Sequence, residues 1–137
     1  EQIAAGRADA GRDDPCRLVV FAFFSVANSE AKAKIDVRRL FATYLHLSAG
    51  MTPLFAPEGI TEELENLGME GPAGVDAGLH RNWMDDLAVI GDPESCAERI
   101  QGLRDAGADS VILFPMPNER AEEIVARAAR DVLPQLT

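Results

Sequence analysis

The chain has 137 residues, the size of one ordinary domain, and its composition is globular: 47% hydrophobic and 26% charged. A formal net charge of −10, from 23 acidic against 13 basic residues, repels phosphate backbones and anionic lipid heads. Nucleic-acid and membrane-surface partners are therefore not expected.

Residues Glu1 to Ala10 read as the end of a helix, with Gly11 as the residue just past it, where glycine tolerates a left-handed backbone. A first residue other than Met, already in a helical stretch, reads as a fragment or a processed product. The run Leu18 to Ala27 is nearly continuously apolar and rich in Val and Phe, which predicts a strand covered on both faces. It is far too short to cross a bilayer. Ser29 is a helix cap, and from Glu30 to about Leu47 the residues Val37, Leu40, Phe41, Tyr44 and Leu45 form one apolar stripe.

The stretch 48–78 differs, with six glycines and three prolines. It predicts an irregular insert holding one short helix, Thr61 to Leu67, capped by Thr61. Connections of that length are usually functional or mobile. A further helix, about Ala73 to Asp86, leads into a short buried strand, Leu87 to Gly91.

The next unit has the clearest boundaries. Asp92 caps a helix running from Pro93 to Ala106, Glu94 favours its positive end, and Gly107 stops it. A strand at Ser110 to Phe114 closes on Pro115 and Pro117. Asn118 caps a last helix whose stripe is Ala121, Ile124, Val125, Ala128, Val132 and Leu133, ended by Pro134. Alternating apolar strands and amphipathic helices predict βα units and a parallel sheet. Three such strands leave hydrophobic edges that need cover.

Three places could carry chemistry. At Gly91-Asp92-Pro93-Glu94-Ser95 a strand turns into a helix, and free N–H groups make such a corner an anion site. Asp92 itself is the better cap, since its carboxylate repels phosphate; for the neighbouring N–H groups, capping and anion binding stand level. At Phe114-Pro115-Met116-Pro117-Asn118, Pro115 and Met116 could line an apolar substrate pocket, against the simpler reading of a strand terminator. In Leu79-His80-Arg81-Asn82-Trp83-Met84-Asp85-Asp86, Arg81 could reach a phosphate or carboxylate; the simpler reading packs Trp83 inside and pairs Arg81 with Asp85.

His46 and His80 are isolated, and no metal-ligand spacing occurs. The two cysteines, Cys16 and Cys96, make no disulfide framework and read as reduced, partly buried thiols in a cytoplasmic setting.

The run Val89-Ile-Gly-Asp-Pro-Glu-Ser-Cys-Ala-Glu-Arg-Ile-Gln-Gly-Leu-Arg-Asp-Ala-Gly-Ala-Asp-Ser-Val-Ile-Leu-Phe-Pro115 resembles the closing signature of luciferase-like oxidoreductases. The end, Asp131-Val-Leu-Pro-Gln-Leu136, resembles that family's finish; Ala10-Gly-Arg-Asp13, the first strand and Ser29-Glu-Ala-Lys-Ala33 resemble its sixth-strand region. The resemblance implies one partial domain over residues 1–137, about strands 6 to 8 of a (β/α)₈ TIM barrel, with the insert as a variable lid.

It implies a cofactor at the barrel mouth, coenzyme F420 in preference to FMN, and hydride transfer or monooxygenation of a small organic substrate. Gly91, Asp92, Glu94 and Arg81 are the candidate cofactor contacts, Pro115 and Met116 the candidate substrate contacts. No catalytic residue and no metal site can be named. The full-length protein is expected to be a homo-oligomer. Two other readings stay open: a fragment of a different TIM-barrel enzyme, and a stand-alone α/β binding or assembly module.

Overall fold

The computed structural model describes residues 2–48 and 59–136. In chain order the elements are α1 (Gln2–Asp9), β1 (Val19–Val26), α2 (Glu30–Ser48), α3 (Thr61–Gly68), α4 (Gly71–Gly78), α5 (Arg81–Leu87), β2 (Ala88–Gly91), α6 (Pro93–Asp105), β3 (Ser110–Pro115) and α7 (Ala121–Arg127). A 3₁₀ turn, Asn118–Arg120, leads into α7, which runs on through a π turn, Ala128–Val132, and a 3₁₀ turn, Leu133–Gln135.

All three strands are parallel, as the alternation of elements predicts, in the order β2-β1-β3. Neighbouring strands of a barrel would instead lie β1-β2-β3. The longer ladder lies between β1 and β3. β2 has four residues and pairs them with Phe23 to Val26, whereas β1 offers β3 a six-residue register, from Val19 opposite Ser110 to Phe24 opposite Pro115.

Asp109 pins the start of that register. Its carboxylate accepts the Leu18 N–H at 2.7 Å, and its own N–H donates to the Leu18 carbonyl at 2.9 Å. Gly107, at φ 107°, makes the left-handed exit from α6 that sets Asp109 there. The Ala-Gly-Ala-Asp break thus joins two strand starts as well as ending a helix.

The sheet separates two cores. Ala22, Phe24 and Val26 of β1 and Val89 of β2 pack against Cys96, Ala97 and Ile100 of α6 and against Ile124, Ala128 and Val132. On the other face, Ala88 and Ile90 pack with Val37, Phe41 and Leu45 of α2, Leu64, Val75, Trp83 and Met84. The apolar run in β1 is therefore covered on both faces only in its second half: Val19 stays 44% and Phe21 72% exposed.

The described part of the insert holds α3, where the short helix Thr61 to Leu67 is expected, and α4; the rest, 49–58, lies outside the described residues. The single helix expected from Ala73 to Asp86 is two, α4 and α5, parted at Leu79, which is extended at ψ 110°. Close packing at glycine holds α4: a Cβ on Gly78 would sit 2.5 Å from a Leu67 methyl.

Thr61 is the first residue of α3 rather than its cap, and its hydroxyl is buried without a partner among the described residues. Pro115 belongs to β3, and Asn118 makes no side-chain cap because the chain opens there into a 3₁₀ turn. Ser29 does cap α2, accepting the Lys32 N–H at 3.4 Å.

Candidate functional site

In a parallel sheet the carboxyl ends of the strands lie on one side, so the three strand-to-helix corners are neighbours. The Ala27 N–H donates to the Gly91 carbonyl at 2.9 Å and the Met116 N–H to the Phe24 carbonyl at 2.8 Å, which holds the corners together.

The β2 corner is built by its own cap. Asp92 is extended at φ −77°, ψ 173°, and its Oδ1 accepts the Ser95 N–H at 2.9 Å. That backbone bond holds the carboxyl below the usual aspartate range, with help from the Ser95 side chain and the Glu94 N–H. Asp92 therefore occupies the position an external anion would take. Gly91 serves packing: a Cβ there would meet the Ser95 Cβ at 2.9 Å. Glu94 is exposed and lines a groove of 450 Å³ along α6 with Glu98, Gln101, Asp105 and Gln135. The capping reading prevails for Asp92 itself.

The β3 corner also changes the expectation. Met116 is 2% exposed and belongs to the core beneath α2, so it cannot line an open pocket. It is the next residue after β3, on the face that α2 covers. Pro115 is half-buried opposite Phe24.

Arg81 opens α5, but its side chain lies outside the described residues. Trp83 is 3% exposed, in agreement with the packing reading of that segment. Asp85 pairs with Lys34; its expected pairing with Arg81 lies outside the described residues. His80 stacks on Trp83 with ring centroids 5.3 Å apart at 15°, and its Nε2 lies 2.9 Å from Glu63 Oε1.

A cavity of 360 Å³ separates His80 and Met84 from Lys34, Ile35 and Arg38 of α2. Its cations are spoken for: Lys34 bridges Glu30 and Asp85, and Arg38 binds Asp76 at 2.8 Å and also its carbonyl.

Two features escape reading from the sequence. The first is an ion-pair strap: Asp36 of α2, with its side chain 13% exposed, accepts from Lys32 and from Arg120 at 2.7 Å, while Arg120 also grips Glu123 through two bonds of 2.9 and 2.8 Å. The Lys32 bond first, then Arg120, lowers the Asp36 carboxyl; Glu123 and Asp36 raise the Arg120 guanidinium. Arg120 sits in the charge-rich segment Glu119 to Glu123, whose composition alone is that of a solvated helix face.

The second is an apolar hollow of 230 Å³ on the uncovered half of the sheet, walled by Phe21, Phe23, Tyr44, Leu87 and Phe114. Phe23 meets Tyr44 edge-on at 4.7 Å and Phe114 at 6.3 Å. The uninterrupted Val-Phe run of β1 was the available signal, but it could not tell which half would lack cover.

Of the thiols, Cys16 is exposed, against expectation, and Cys96 is buried, pushed up to about 12 first by burial and then by the Asp92 charge. Among the described residues no group of three His, Cys, Asp or Glu could hold a metal, and no helix is long and apolar enough to cross a membrane.

No curated protein matches the chain. A family model described as luciferase-like monooxygenase matches residues 1–110, which takes in β1, α2, β2 and α6 and stops where β3 begins. With the closing signature falling on the capped β2 corner and the Asp109 tie, the chain belongs to the luciferase-like monooxygenase family.

Proposed function

We propose that this chain contributes strands 6 to 8 to a (β/α)₈-barrel oxidoreductase that acts with F420, or with FMN, on a small organic substrate. The reaction is hydride transfer or monooxygenation, in a cytoplasmic homo-oligomer. Family membership supports the oxidoreductase class.

The observation that carries the reading further is the asymmetry of the sheet. One face lies under α6 and α7, while the other leaves Val19, Phe21, Ile112 and Phe114 between 43% and 72% exposed. A barrel wall has that asymmetry, with helices outside and large apolar side chains filling the inside. In this reading further strands close against that open part, and α2, which packs here on the carboxyl half of the same face, belongs in the outer ring of the complete barrel.

Among the candidate cofactor contacts, the Gly91 backbone and Arg81 are retained; Asp92 is committed to its cap and Glu94 to the solvent side of α6. Gel filtration with F420 and, separately, FMN tests the reading on the polypeptide encoded by the full reading frame. Co-elution of F420 absorbance with protein is expected. Retention of neither cofactor would overturn it.

One observation favours a second reading, a stand-alone α/β module. The order β2-β1-β3, with helices on both faces, is that of an open layered sheet. Light scattering on the 137-residue chain separates the two. A discrete, stable dimer favours the module; a poorly soluble or dye-binding species favours the barrel piece.

A further inference from the structure

We draw no further inference here: the strongest candidate, the apolar hollow between β1, β3 and α2 walled by Phe21, Phe23, Tyr44 and Phe114, belongs to the uncovered sheet face already described, and nothing in the structure shows what covers it.

Discussion

On one face of the sheet Phe24, Val89, Ile100, Ile124 and Val132 are at most 4% exposed; on the other, Phe21 keeps 72% of its surface in contact with solvent and Phe114 49%. Phe21 and Phe24 are the same residue type on the same strand, three positions apart, and the parity of the pleat puts them on opposite faces. Strand propensity and hydrophobicity therefore do not decide burial here. What decides it is which helix lies opposite: α6 and α7 span the full length of one face, whereas α2 reaches only the carboxyl half of the other. A large apolar surface left open on a domain marks a place where something else binds or packs.

The sharpest way to break the comparison is to truncate both phenylalanines. Phe24→Ala should cost about 3–5 kcal/mol, the range for removing a buried ring and leaving a cavity. That is much of the total stability of an ordinary domain. Phe21→Ala should change stability by less than about 0.5 kcal/mol, as surface substitutions do. Urea denaturation of each variant reads both values. In a longer polypeptide whose added strands cover this face, Phe21→Ala should cost as much as Phe24→Ala. If the two remained unequal there, the inward assignment of Phe21 would fail.

The cysteines give the next contrast. Cys96 lies in the well-covered core, where its thiol contacts the Ser25 carbonyl at 3.7 Å and is held protonated by burial. Only the thiolate attacks disulfide reagents. With an aromatic disulfide at neutral pH, Cys16 should react at once and Cys96 only at the rate of global opening, with both titrating in denaturant. Rapid reaction of both in the native chain would show that the covered face breathes.

How much of this could be read in advance follows the same line. The unit from Val89 to Phe114 was legible nearly to the residue, because cap, N1 proline, terminal glycine and strand are local signals. The break between α4 and α5 was not, because no proline marks the turn of Leu79 into an extended backbone. The strand order was not legible either, since the pairing of β1 with β3 joins strands far apart in the chain. At the corner, sequence showed that Asp92 could cap. It could not show that this carboxylate takes up the Ser95 N–H, nor that Met116 is turned into the core.

Asp92 tests the corner directly. Asp92→Ala should lose about 0.5–2 kcal/mol, the usual effect of removing a helix cap, while Asp92→Asn, which can still accept the Ser95 N–H, should lose less. The carboxyl is held below its unfolded value, so its contribution is complete above about pH 4 and is lost as pH falls through the lowered value. Thermal melts from pH 7 to pH 2 should show the difference between wild type and Asp92→Asn shrinking in that acid window only. If Asp92→Ala strengthened binding of inorganic phosphate without changing stability, the corner would be an anion site after all.

The smallest effect belongs to the strap that joins the two sides of the sheet, Asp36 on α2 and Arg120 ahead of α7. Arg120 is 37% exposed, so solvent screening limits the pair to about 1 kcal/mol or less. Asp36 also has Lys32, and Arg120 also has Glu123, so each single change leaves the other partner paired. A double-mutant cycle with Asp36→Asn and Arg120→Gln isolates the shared term. The expected coupling is small and favourable, weakens with added salt, and fades below about pH 4 as the lowered Asp36 carboxyl takes up its proton. A coupling that survived high salt would place the pair in a drier setting than its exposure indicates, as happens when further protein covers the open half of the sheet and the turn beside it.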